Sequence, residues 1–135
     1  MVLCHGHFNI IHPGHVRYLD YAKQQGSKLM VSIQGDSSFS NSDRKHHFLD
    51  SERAAGVASL QTVDQVVLLG EGSLEDLIKV LNPAVLVLGK EFEYEQVDQV
   101  SEAVQLLQKQ GGKILFHAGE FHYASADLLK DNLPD

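Results

Sequence analysis

The residues with the most evident chemistry sit together near the start of the 135-residue chain, in His5-Gly6-His7-Phe8-Asn9-Ile10-Ile11-His12-Pro13-Gly14-His15. His12 and His15 are three apart, which puts both side chains on one side of a helical first turn. Pro13 suits that turn, where its missing N–H is no loss. Gly14 removes a side chain beside the free amides, and a helix start with free amides binds phosphate. Gly6 lets backbone approach a ligand closely. Two imidazoles over such a helix end can hold a polyphosphate and follow the charge that develops as bonds to phosphorus form and break. A metal centre built from His5, His7, His12 and His15 is the competing reading. Their spacing is not that of a closed zinc site, and no cysteine pair supports one.

Short apolar runs and helical patterns alternate along the chain and would position this segment. Strands are predicted at residues 1–4, 29–33, 66–69, 84–88 and 113–117, from apolar or β-branched runs bounded by Gly, Asn or Asp. Helices are predicted at residues 16–25, stopped by Gly26, and from a cap at Asp50 or Ser51 to about residue 60. Others run from a cap at Ser73 to Asn82-Pro83, over residues 94–110, and over residues 125–132. Residues 37–47 read as a loop. The strand–helix alternation implies an α/β fold with three layers, a doubly wound, Rossmann-like five-stranded parallel sheet. Ligands of such sheets bind beyond the carboxyl ends of the strands, where strand order reverses. The expected site is the loop from His5 to Gly14, facing the loops after Ile33, Leu88 and His117.

Composition narrows the class. The chain has room for one domain, residues 1–135, alone or as part of a longer protein. A single cysteine excludes a disulfide framework and fits a reducing cytosol. No run has the apolar length of a membrane span. The formal net charge of -7 argues against a binder of nucleic acid polymers. It divides unevenly, about +1 over residues 1–53 and -8 over the remainder, and six of the eight histidines lie in the first part. A site for small anions is therefore expected in that part. Cys4 and Phe8 read as packing residues, and His46-His47 as loop surface.

The co-linear set of motifs resembles the HxGH nucleotidyltransferase superfamily, within it the small cytidylyltransferases of glycerol-phosphate cytidylyltransferase type and the nucleotidyltransferase domains of ADP-heptose-synthase type. Gly6, Phe8, Asn9, His12, Gly14 and His15 match the first motif, and Asp36 follows the second strand. Glu52-Arg53, Val63-Asp64-Gln65-Val66-Val67, Asn82 through Gly89, and Tyr123 through Leu129 match later ones.

The resemblance implies that His12 and His15 contact the triphosphate and stabilise the transition state. His7, Phe8, Asn9 and Gly14 would line the nucleotide, Gly89 would border the base, and Ser125 would bind terminal phosphates. Asp36 and Arg53 would lie on the acceptor side. Where the family carries lysines, this chain has Ser42 and Leu88, and Arg44, Lys45 and Lys90 are the nearby cations. Two hydroxyls of the last motif are Ala124 and Ala126. The implied reaction is attack of a small phosphomonoester on CTP or ATP with release of pyrophosphate, Mg²⁺ bridging the phosphates. A cytosolic homodimer is implied as well. The second reading, motivated by those four departures, is a nucleotide-binding regulatory domain without turnover.

Overall fold

The computed structural model describes residues 1–38, 47–89 and 98–117. The apolar runs become strands Val2–Gly6 (β1), Leu29–Ile33 (β2), Gln65–Leu68 (β3), Val85–Gly89 (β4) and Lys113–His117 (β5). They pair in parallel in the order β3-β2-β1-β4-β5. Between them run helices Pro13–Lys23 (α1), Asp50–Ala58 (α2), Leu74–Leu81 (α3) and Asp98–Lys109 (α4). The chain winds outward from β1 to β3, then returns to lay β4 on the other side of β1. Strand order therefore reverses between β1 and β4.

Alternating side chains on the strands feed two cores, as the period of two requires. Val2, Cys4, Val31, Ile33 and Val87 face Tyr18, Leu19 and Ala22 of α1 and Val57 of α2. Leu3, Met30, Leu86 and Leu88 face Leu74 and Ile78 of α3 and Ala103 and Leu107 of α4. Covering both faces explains why the central strands read as unbroken apolar runs. The predicted three-layer, doubly wound fold is the one observed.

Several boundaries differ from the sequence reading. The first helix begins at Pro13 rather than residue 16, because His12 caps it. It ends at Lys23, followed by Gln24 as C-cap. β3 runs one residue earlier than predicted, with Gln65 paired to Met30. It is an edge strand, so half-buried positions blur its apolar pattern. Asp50 is the first residue of α2 rather than its cap, and Glu52 Oε1 instead accepts from the Leu49 N–H at 3.3 Å. Ser73 caps α3 as expected, accepting from the Asp76 N–H at 3.0 Å. That helix closes on Asn82 in the left-handed region (φ 44°), which the short Asn side chain tolerates before Pro83. Residues 94–97 and the predicted helix 125–132 lie outside the described residues.

The loop after β2 leans on the loop after β3. A Cβ built on Gly35 would lie 1.9 Å from the Gly70 carbonyl oxygen. That contact is backbone against backbone, so no rotamer relieves it. Gly35→Ala is expected to cost at least the upper end of the roughly 1–3 kcal/mol typical of overpacking, read as a lowered midpoint in thermal denaturation.

Candidate functional site

A cavity of about 280 Å³ opens at the reversal of strand order. His5, Gly6, His7 and Phe8 line it from β1 and the loop beyond. His12 and, on α1, Gly14, His15 and Tyr18 form another wall. Gln34, Gly89 and His117, at the ends of β2, β4 and β5, complete it. These are the loops that the switch-point rule selects.

The helix start is tied together by its own histidines. His12 is the N-cap, in extended conformation, and its Nδ1 accepts from the Gly14 N–H at 3.0 Å. His15 Nδ1 in turn accepts from the His12 N–H at 3.2 Å. The exchange is a capping box made from two imidazoles instead of a hydroxyl and a carboxylate. A ring nitrogen that accepts cannot carry a proton, so both ring protons reside on Nε2. The rings lie against each other with centroids 3.8 Å apart. Gly14 is what permits this: a Cβ there would lie 2.7 Å from His12 Cε1 and 2.9 Å from its Nδ1. Phe8, 5% exposed and at φ 49°, packs its ring against His15 and Tyr18 beneath the loop. The Tyr18 hydroxyl donates to the Val87 carbonyl and pins α1 to β4.

Arg53 holds the first loop from behind. It is 2% exposed, and its guanidinium donates to the Phe48 carbonyl (2.9 Å), the His7 carbonyl (2.9 Å) and Asp36 Oδ1 (2.8 Å). Arg53 and Asp36, expected on the acceptor side, are thus bonded to each other, and neither lines the cavity. Asn9 is also outside the lining, and its Oδ1 accepts from the Phe48 N–H at 2.7 Å. The positions of Arg44, Lys45, Lys90 and Ser125 lie outside the described residues, as do Ser42, Ala124 and Ala126. Leu88 is fully buried in the sheet.

Four residues of the cavity were given no nucleotide-binding or catalytic role in the sequence reading. His5 is 5% exposed, with Nδ1 2.9 Å from Ser32 Oγ. Gln34 and Tyr18 line the wall. His117 stacks on Tyr21, with centroids 4.2 Å apart and rings 16° from parallel. Each depends on contacts across many residues of sequence, so no local spacing signals them. Three were indicated without such a role: His5 as the start of the expected loop and a metal-ligand candidate, Gln34 as the first residue after Ile33, and His117 as the strand end bordering the site. Arg17, one turn into α1, lies beside His12 in an adjoining groove.

Among the described residues no cluster of metal-ligating side chains forms. The cavity lining offers imidazoles and an amide but no carboxylate. Mg²⁺ takes oxygen ligands, so these residues do not fit a protein-held magnesium ion.

Burial, helped by the nearby His7, pushes the His5 imidazole down to about 4. The native state keeps it neutral, whereas the unfolded chain takes up a proton near 6.5. This difference costs nothing above about pH 6.5 and weakens the fold as pH falls toward 4, with a slope approaching about 1.4 kcal/mol per unit. Denaturant melts across that range are expected to show the loss, and His5→Asn should remove this part of the slope.

The cytidylyltransferase-like family matches the chain over residues 3–126. The "Bifunctional protein HldE" of Pseudomonas fluorescens Pf0-1 is 38% identical over 99 residues, covering 72% of this chain and 21% of that protein. Its namesake from Nitrosococcus oceani is 35% identical over 117 residues, covering 85% and 24%. The chain thus spans between a fifth and a quarter of the length of these relatives. A crystal structure described as a lipopolysaccharide core biosynthesis protein, from Thermoplasma volcanium, superposes with a TM-score of 0.64 at 25% identity. That superposition covers 85% of this chain and 91% of the other. A protein of unknown function from Archaeoglobus fulgidus shares the fold, with a TM-score of 0.61, 17% identity, and 91% and 93% of the two chains covered. With the histidine-capped helix start at the switch point and the family match across nearly its whole length, the chain belongs to the cytidylyltransferase-like family of nucleotidyltransferase domains.

Proposed function

We propose that this domain joins a nucleotide to a small phosphorylated sugar or polyol. A phosphomonoester oxygen attacks the α-phosphorus of CTP or ATP, the bond to the β-phosphate oxygen breaks, and pyrophosphate leaves. The observation that carries this reading is the pair of imidazoles over the amino end of α1, each with its proton on Nε2. Fixed donors aimed at phosphate oxygens stabilise charge as it shifts toward the leaving group, without reorganising. The dipole of α1, whose amino end the two rings cap, adds to the same field. No covalent intermediate on the protein is needed, and positioning does the remaining work. Magnesium would enter on the nucleotide's phosphates, as part of the substrate. His117, held by its stack on Tyr21, borders the cavity where a base would lie.

The proposed setting is the cytosol. Among the described residues no helix is long and apolar enough to cross a membrane. Ile10, Val16, Phe48 and Leu49 are exposed apolar residues near α1 and α2, and they support pairing with a second copy, which sedimentation reads directly.

Pyrophosphate release, measured with CTP and ATP against a panel of sugar and polyol phosphates, tests the reading. Turnover with one pairing is expected. Tight nucleotide binding without release in any pairing would instead favour a regulatory domain, a reading supported by the buried Leu88 where the resembled family carries a lysine.

A further inference from the structure

The two ends of the cavity differ in chemistry. The amino end of α1 suits phosphate, but the floor near β1 and β2 does not. There Ser32 Oγ lies 3.2 Å from the Cys4 carbonyl and 2.9 Å from His5 Nδ1. A carbonyl only accepts, so the serine proton goes to Cys4 and the Nδ1 proton of His5 goes to the serine oxygen. His5 Nε2 is then a bare acceptor. No described residue bonds to it, and it is not sealed in, since no fully buried side-chain nitrogen or oxygen among these residues lacks a partner. It opens on the cavity that His5 lines. Gln34 lines the same cavity, its main-chain N–H fixed to the Gly6 carbonyl at 2.8 Å. Its side-chain amide, with donors and an acceptor, has no partner among the described residues.

Neither group carries charge. A phosphate oxygen would meet a lone pair at Nε2, whereas a hydroxyl can donate to Nε2 and accept from the Gln34 amide. We propose that His5 and Gln34, with Ser32 as the positioning residue, form a hydroxyl-binding subsite that reads a diol on the substrate. This deepens the nucleotidyl-transfer reading and rests on it for the placement of phosphate. The diol belongs either to the ribose of the nucleotide or to a polyol acceptor.

Calorimetric titration separates these sources. The probes are CTP and ATP against their 2′,3′-dideoxy analogues, and ribitol 5-phosphate against pentyl phosphate. The protein is expected to prefer the hydroxylated member of one pair by about tenfold or more, comparable to one or two hydrogen bonds. Gln34→Leu and Ser32→Ala should each cut that preference severalfold. Ser32→Ala keeps the imidazole and frees its tautomer, a change that loss of packing would not register as altered selectivity. The pair that shows the preference names the source. No preference in either pair overturns the subsite, as does a preference that survives both substitutions. A subsite-dependent preference for ribitol 5-phosphate without any triphosphate binding upholds the subsite and overturns nucleotidyl transfer. Pyrophosphate release without hydroxyl preference does the reverse.

Discussion

His12→Ser is expected to leave the fold intact and to lower turnover by about 10²–10³-fold, the usual loss when one donor to a developing oxyanion is removed. Serine is among the best N-cap residues, so it can replace His12 Nδ1 as acceptor for the amides of α1. What it cannot replace is the Nε2 donor. His15→Gln follows the same logic, since glutamine at the third helical position completes a capping box. Its thermal midpoint should move by no more than a few degrees while turnover falls by a similar factor. The double variant should fall less than the product of the two, because residues acting as a unit are not additive. His12→Ala loses cap and donor together, and the added stability cost of about 1 kcal/mol measures the cap alone. Steady-state pyrophosphate release with parallel melts reads all of these. Turnover within threefold of the parent in His12→Ser would remove His12 from the chemistry.

Arg53→Lys is expected to destabilise the domain by about 3 kcal/mol, lowering the melting midpoint by roughly 10 °C for a domain of this size. The guanidinium satisfies three acceptors in different directions: the Phe48 and His7 carbonyls and the Asp36 carboxylate. One ammonium nitrogen cannot span them, so charge conservation does not conserve the structure. The Asp36 side chain keeps 34% exposure and can rehydrate, which holds the cost at the lower end for a broken buried pair. Because His7 borders the cavity, residual folded enzyme should also show a weakened kcat/KM. A melting midpoint unchanged by Arg53→Lys would contradict the strut role.

The strand–helix order and the location of the cavity were legible because both follow from local patterns. Apolar runs doubly covered by helices mark β1, β2 and β4, and the winding rule then points to the loops after β1 and β4. The pairing of His12 with His15 was legible from their spacing alone. Their Nδ1 bonds were not, because histidine is an uncommon cap and its preference for that position is weak. This is also why the first helix was expected three residues late. Arg53 bonds to His7 across 46 positions and to Asp36 across 17. Motif matching implied an acceptor-side place for Asp36 and Arg53 but gave no sign that they bond to each other. His5 and Ser32, 27 positions apart, meet only through the β1–β2 register. No pattern within either strand announces that pairing.

The most direct test of the switch-point site is a crystal structure of the protein with a non-reactive CTP or ATP analogue bridged by methylene between the α- and β-phosphates. The expected result places the phosphates over the amino end of α1, with oxygens within hydrogen-bond distance of Nε2 on both His12 and His15. Phosphates bound elsewhere, with those two rings still closed on their own helix and out of contact, would contradict it.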